Sequence, residues 1–375
     1  MAAAIEFSDE QSMLLETAMD FCTNRSPIGT VRARIEDEKG LAAAEWQERA
    51  DLGWMGIAIP EASGGLGLGL GSVVPVVESM GRTLLGSPFF ATTLAAQALV
   101  HGGSEAQKQA WLPKLAAGAI GSVALLEAGG DWDLANIASD ARADGGSVVL
   151  SGSKTFVLDA TTADVFIVSA RMGGEVCLGL VEQDDLDAGK MLRDVVIDET
   201  RRSYTVSLDG VTVSPDNVLE RACLTELQNA ALLLLAAEIA GGAAGCLNVV
   251  VEYLNTRKQF DRLIGSYQAL KHPPVDIMLG MEAGRSHLYH AATVIDEDDP
   301  KATEIALRMA KAHGSRSFAF AGDRAVQFHG GFGFTYECDA QLFLRRALWC
   351  QYQFGDERYH RQRLAPLLLD ESSDS

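Results

Sequence analysis

The spacing of the apolar residues changes twice along this chain, and each change limits what it can fold into. From Phe7 to about Gly118 they recur at helical spacing, as in Met13, Leu14, Ala18 and Phe21, with a Gly-rich break at Gly64-Gly65-Leu66-Gly67. From about Ser122 to Glu220 the pattern shortens to runs bounded by turn residues. Val148-Val149-Leu150, Thr155-Phe156-Val157-Leu158 and Val165-Phe166-Ile167-Val168 read as strands joined by tight turns. After Ala222 helical spacing returns and continues to about Leu369, and the acidic, Ser-rich tail Asp370 to Ser375 is expected to fray. With 375 residues the chain has room for two or three such sub-domains sharing a core.

Charge and composition exclude several functions. A net charge of −20 argues against nucleic acid and anionic membrane surfaces as partners, since both bind through excess Lys and Arg. An anionic cofactor needs only local donors and stays open. The stretch Ala230 to Val251 is apolar and long enough to cross a bilayer, but Glu238 near its middle would face lipid at a cost of several kcal/mol. A buried helix is the better reading, with Glu238 a hydrogen-bonded structural carboxylate. The six cysteines contain no CxxC or Cys/His pair at metal-ligand spacing, so neither a metal site nor a disulfide framework is expected. No secretory leader is readable at the N-terminus, and a reduced, cytoplasmic location is the expectation.

Several motifs fall in one order along the chain. Leu52-Gly53-Trp54-Met55-Gly56-Ile57-Ala58-Ile59-Pro60 precedes Gly64-Gly65-Leu66-Gly67, and Lys108-Gln109-Ala110-Trp111-Leu112-Pro113 leads into the strand region. Val211-Thr212-Val213-Ser214-Pro215 leads out of it. Arg257-Lys258-Gln259-Phe260, Ile264-Gly265, Tyr267-Gln268, Gln327 and Gly330-Gly331-Phe332-Gly333-Phe334 follow. In this order they resemble the acyl-CoA dehydrogenases over nearly the whole chain. The resemblance implies an α+β fold: an N-terminal helical domain over 1–119, a middle antiparallel β domain over 120–222 and a C-terminal four-helix-bundle domain over 223–375. It also implies FAD, an acyl-CoA thioester substrate, and an electron-transfer flavoprotein or another electron acceptor.

The residues themselves suit a dinucleotide. A pyrophosphate needs positive charge and backbone that can approach closely, and Gly330-Gly331 carries no side chains to block that approach. Arg257 offers a planar fork of donors for phosphate oxygens. In the family these positions hold the FAD of a neighbouring subunit, so the resemblance assigns Arg257, Gln259, Phe260, Tyr267, Gln268, Gln327, Gly330 and Gly331 to a cofactor across a subunit interface. The plainer alternative, a tight helix connection at Gly330-Gly331 and a surface ion pair at Arg257, stays open.

The family reaction removes an α-proton from the thioester while a hydride leaves the β-carbon for the flavin, so it needs a carboxylate base and donors around the flavin ring. This chain departs from the family at both. Counting from Gly331 through Arg345, the base position falls on Phe354, followed by Gly355 and Asp356, and the family's alternative base position falls near Ala231 and Leu232. Glu238 lies two helical turns on, about 10 Å away. Asp356 and Glu357 are the nearest acids in sequence and the fallback candidates for a base. In the middle domain, Leu126-Glu127-Ala128-Gly129-Gly130-Asp131-Trp132-Asp133 stands where the family has Thr-Glu-Pro-Gly-Ala-Gly-Ser-Asp. Phe156-Val157-Leu158 stands where it has Trp-Ile-Thr. A carboxylate and an indole at 131 and 132 would repel and crowd a pyrophosphate.

Residues that would serve a partner's flavin are thus present, and those that would serve this chain's own are missing. The expectation is a base-less subunit of a heteromeric (α2β2) acyl-CoA dehydrogenase, resembling those of bacteria that oxidise steroid side-chain CoA thioesters, paired with a second acyl-CoA dehydrogenase-like subunit. Two alternatives are a self-sufficient homo-oligomeric flavoenzyme using Asp356 or Glu357, and a flavin-free binding protein of the same fold that holds an acyl-CoA or a protein partner.

Overall fold

The computed structural model describes residues 9–369, so the expectation for Asp370 to Ser375 lies outside the described residues. In chain order the N-terminal part forms α1 (Asp9–Arg25), α2 (Ile28–Glu36), α3 (Ala43–Asp51), α4 (Val74–Arg82), α5 (Phe89–Gly102) and α6 (Glu105–Ala116). Nine strands follow: β1 (Gly121–Ala124), β2 (Asp140–Asp144), β3 (Ser147–Ser151), β4 (Ser153–Leu158), β5 (Val165–Met172), β6 (Glu175–Glu182), β7 (Met191–Arg193), β8 (Ser203–Ser207) and β9 (Val211–Val213). The chain then enters α7 (Leu224–Thr256), a short hairpin of β10 (Lys258–Gln259) and β11 (Arg262–Leu263), and the helices α8 (Gln268–Val294), α9 (Pro300–His329), α10 (Ala340–Tyr352) and α11 (Glu357–Leu369). Helices, strands, helices is the expected α+β order.

Two compact units emerge, each discontinuous in sequence. Of the described residues, one contains those up to Ala33, Leu70–Leu85 and those from Leu232 on; the other contains Arg34–Gly69 and Gly86–Ala231.

In the second unit the strands form a six-stranded sheet in the order β1-β5-β2-β3-β9, with β6 also on β5, and a three-stranded sheet β4-β8-β7. Most ladders are antiparallel, as the turn-bounded runs predict, but β1 runs parallel to β5 from Gly121↔Val165 to Ala124↔Val168. The wholly antiparallel expectation is corrected there. Tight turns join only antiparallel neighbours, whereas β1 reaches β5 through some forty residues that include three other strands. Val165 to Ala170 are buried in succession, the pattern of a strand covered on both faces. Local chemistry sets the helix starts. Ser104 and Gln107 form a reciprocal capping box at the head of α6, with Gln107 N donating to Ser104 Oγ at 3.2 Å and Ser104 N to Gln107 Oε1 at 2.8 Å.

In the first unit α9 is the central helix, packed by α8, α10 and α11. The apolar run of α7 is 94% buried, so its hydrophobicity serves a protein core. At its crossing with α4 the backbones nearly touch: a Cβ on Gly241 would lie 1.8 Å from Glu78 O, and one on Gly81 2.2 Å from Glu238 O. Only glycine permits that approach. Glu238 itself is 4% exposed and accepts from Arg346 Nη1 at 2.5 Å, with Arg346 Nη2 also donating to Leu84 O at 3.3 Å. The structural role expected for this carboxylate is what the geometry provides. Breaking such a buried pair leaves a charge unpaired in the core, at a cost of about 3–5 kcal/mol.

Candidate active site

The residues assigned to a dinucleotide gather in the first unit where α7 and α9 end. After Thr256 the chain makes a two-residue hairpin whose turn residues Phe260 and Asp261 have φ of 54° and 61°, and both can be tolerated because the type I′ geometry matches strand twist. Ile264 N donates to Arg257 O at 2.9 Å and Tyr267 Oη to Gln259 O at 3.4 Å, which closes the hairpin on itself. The Arg262 guanidinium sits 5.7 Å from the centre of the Tyr267 ring. Nearby, α9 stops at His329 because Gly330 adopts φ 61° and ψ −142°, outside the range of other residues. His329 Nδ1 donates to Ala325 O at 2.7 Å, and its ring stacks on that of Tyr253, in the last turn of α7, with centroids 3.9 Å apart. This stack ties the two helix ends together.

Arg257, Gln259, Gln268, Gln327, Gly330 and Gly331 are exposed, Tyr267 is half-buried, and Phe260 is 85% exposed. Among the described residues the Arg257 guanidinium has no ion-pair or hydrogen-bond partner, so the surface ion pair that would explain it internally is absent. Gly331 has neither a positive φ nor any atom within 4 Å of a Cβ built on it. Nothing in its own chain requires glycine at 331. Both helices point their C-terminal, partially negative ends here, so any anion must draw its positive charge from side chains, of which Arg257, Lys258 and Arg262 are the exposed cations of the hairpin segment. An open glycine surface beside an unpaired guanidinium and an exposed ring fits the ADP portion of an FAD.

The base position is different. Phe354 follows α10 with φ 53° and is only 5% exposed, and Gly355 has φ 109°. Beneath this turn lies Lys311 of α9, which is 0% exposed. Its Nζ donates to Ser315 Oγ at 3.1 Å, Gln351 O at 3.1 Å and Gly355 O at 2.9 Å. Burial pulls its pKa down to about 7 against the opposing pull of Cys350 and Asp356. On the other side His360 is buried, and burial, with Lys311 and Arg308 nearby, pushes it down to about 3. The fallback acids are both in structural use. Asp356 accepts from Tyr359 N at 2.8 Å and so caps α11, and Glu357 pairs with Arg361 Nε at 2.8 Å. They line an open groove of about 600 Å³ with Arg358 and Arg361. Ala231 and Leu232 are buried in α7.

In the second unit the departures at the flavin-ring positions come together. Leu126 forms an isolated bridge with Thr155, whose N donates to Leu126 O at 2.9 Å, next to Phe156. Phe156 is 44% exposed at φ 55°, where the β4 ladder slips between Lys154 and Val157. Asp131 folds its loop around itself, accepting from Asp133 N at 2.9 Å and Asn136 Nδ2 at 2.5 Å. Glu127 accepts from Lys154 Nζ at 2.7 Å, Ala138 N at 2.8 Å and Ser139 N at 2.9 Å. Burial alone would raise its carboxyl, but Lys154 and these donors outweigh it and hold it at about 2. The partly open pocket beside this loop, about 370 Å³, is walled by Glu127, Asp131 and Asp133, with no Lys or Arg in its lining. Those walls do not fit a pyrophosphate. Asp159, just past Leu158, is lifted to about 6 by burial in spite of Arg201 and Arg202.

Sequence reasoning missed Lys311, Lys154 and Asp159. For Lys311 a signal exists: with Leu307, Gly314 and Phe318 it lies on the core stripe of α9, where an amine is out of place.

The chain matches the acyl-CoA dehydrogenase N-terminal domain over residues 8–119 and the C-terminal domain over 222–369. It is 30% identical to acyl-CoA dehydrogenase IpdE2 of Mycolicibacterium smegmatis over 358 residues, covering 95% of this chain and 98% of that protein. Among solved structures, the Tcur3481-Tcur3483 steroid ACAD superposes with a TM-score of 0.87 at 29% identity over 96% of this chain and 97% of the other. A chain solved in work on the electron transferring flavoprotein of Acidaminococcus fermentans gives 0.89 at 25% identity over 98% and 99%. This chain belongs to the acyl-CoA dehydrogenase family, FAD-dependent oxidoreductases that dehydrogenate acyl-CoA thioesters.

Proposed function

We propose that this chain is the base-less subunit of a heteromeric acyl-CoA dehydrogenase, completing the FAD site of a related chain that supplies the catalytic carboxylate. The observation that carries this reading is Phe354: a buried, apolar ring at the base position, with Asp356 and Glu357 committed to α11. Bound FAD would supply the hydride acceptor. Arg257, Gly330 and Gly331 would bind its pyrophosphate, while Gln259, Phe260, Tyr267, Gln268 and Gln327 would frame the adenosine side. The chain's own ring-side loop, walled by Glu127, Asp131 and Asp133, would hold none. A steroid side-chain CoA thioester is the substrate class we favour, because the Tcur3481-Tcur3483 steroid ACAD is 29% identical over 96% of this chain. Electrons would leave to an electron-transfer flavoprotein or another acceptor.

The test is flavin content per chain, by visible absorbance, for the protein purified alone and co-purified with a second family member encoded beside it. A colourless lone chain and a pair holding about one flavin per two chains is the expected result. One flavin bound by each lone chain would overturn the reading and return Asp356 to candidacy as the base.

A further inference from the structure

Lys311 is an anomaly in the core of the first unit. Its side chain is fully buried, and no carboxylate among the described residues lies within salt-bridge distance of Nζ. The other fully buried lysine, Lys154, has Glu127 at 2.7 Å. Burying an ammonium without a counter-charge is expensive, and an apolar side chain would fill the same volume at lower cost. What an apolar side chain could not supply is the set of bonds. Two of the three acceptors, Gln351 O and Gly355 O, flank Phe354. Gln351 O belongs to the last turn of α10, where helical N–H partners run out, and Gly355 O to the turn that leads into α11.

The same turn is pressed from the other side by α11. A Cβ on Gly355 would lie 2.5 Å from the Tyr359 ring and 2.8 Å from His360 Nε2. Phe354 itself sits at φ 53°, a conformation that costs a residue with a side chain roughly 1–2 kcal/mol and persists only when its surroundings enforce it. Residues 354 and 355 are therefore clamped between an amine on α9 and two rings on α11.

We propose that Lys311 is the positioning residue of the turn at the base position: through Gln351 O and Gly355 O it fixes where side chain 354 stands. In the proposed heteromer, on which only this last step rests, that makes Lys311 the residue that holds the apolar side chain in place at this chain's own base position, while turnover takes place at the partner's carboxylate and flavin. Because burial holds the amine near pKa 7, the clamp carries its own titration. The ammonium has a proton for each of its three acceptors, and the neutral amine has one too few. The titratable and charged groups around it are Arg308 on α9, Cys350 on α10, and Asp356 and His360 at the head of α11. Of these, His360 stays neutral above its own value of about 3.

The experiment is amide hydrogen exchange on the whole chain, wild type against Lys311→Met and Lys311→Gln, followed by turnover of the co-purified pair. We expect exchange across 353–356 to rise at least tenfold in both variants with α8 unchanged. In the wild type, exchange corrected for its intrinsic rate should rise in the same segment between pH 6 and pH 8.5, a series that serves even if neither variant folds. In the pair, kcat and KM for the thioester should both stay within about twofold, because the partner supplies the carboxylate and the flavin-ring pocket; a loss of turnover would put side chain 354 in the reacting site and overturn the last step. Unchanged exchange at 353–356, or a uniform rise through the whole helical unit, would overturn the positioning role. If the wild-type pair binds no flavin and turns nothing over, the heteromer reading falls while the exchange result still decides Lys311.

Discussion

The two places where this chain could meet a dinucleotide are built on opposite plans. At the ends of α7 and α9, the polar and aromatic groups face outward with little to do for their own chain: an unpaired Arg257, an unhindered Gly331, an exposed Phe260. In the loop from Leu126 to Asp133, the polar groups are spent on one another, with Glu127 accepting from Lys154 and two backbone amides and Asp131 from its own loop. Groups left unsatisfied by the fold are available to a ligand, whereas groups already satisfied are scaffolding. The contrast separates two residue sets that a motif search reads as one cofactor site.

The contrast requires stability and flavin binding to come apart under mutation. The largest effect should be on stability, from Glu127→Gln, which strands the buried Lys154 charge and costs about 3–5 kcal/mol in chemical unfolding. The flavin content of folded pair should stay as it was, and a loss of flavin would erase the distinction. Gly331→Leu is the mirror image. It meets no atom in its own chain, so unfolding of the lone protein should not change. A side chain forced against a ligand costs about 1–3 kcal/mol, so flavin retained by the pair should fall by about ten- to a hundredfold. Arg257→Gln should weaken flavin retention about tenfold, and the deficit should shrink as salt screens the wild-type interaction.

A separate effect, on pH dependence, concerns Asp159. Its folded pKa is raised to about 6, so the unfolded chain gives up its proton first and stability falls as pH climbs from about 4 to 6, then levels off. Asp159→Asn should flatten that stretch of a melting-temperature profile, and an unaltered slope would place the carboxyl in water. Glu127 works in the opposite sense. Held at about 2, it stabilises at every pH above the ordinary carboxylate range and loses that contribution as pH falls towards 2.

Much of this was legible in the residues. Apolar spacing located the helical and strand regions because one buried face per element imposes its period, as along α7 and β4. Glu238 could be read as structural because a lone carboxylate in an apolar run must find a partner, though nothing in the sequence named Arg346. The parallel pairing of β1 with β5 was not legible, since it depends on a crossover far from either strand. Nor was the loop around Asp131: sequence showed a charge where a cofactor would lie, but not that Asn136 and a backbone amide had already claimed it. Lys311 stood out on the core stripe of α9, but its role was not legible because two of its three acceptors are main-chain carbonyls, which leave no trace in residue identity.

The stack of Tyr253 on His329 has a further consequence. It joins the hairpin after α7 to the glycine turn after α9, so neither must be ordered when a second molecule arrives. Association then costs mainly rigid-body freedom, with little loop ordering added. A surface prepared in this way should form its complex at a rate governed by encounter and orientation, and small aliphatic replacements of Tyr253 should slow assembly before they alter the finished complex.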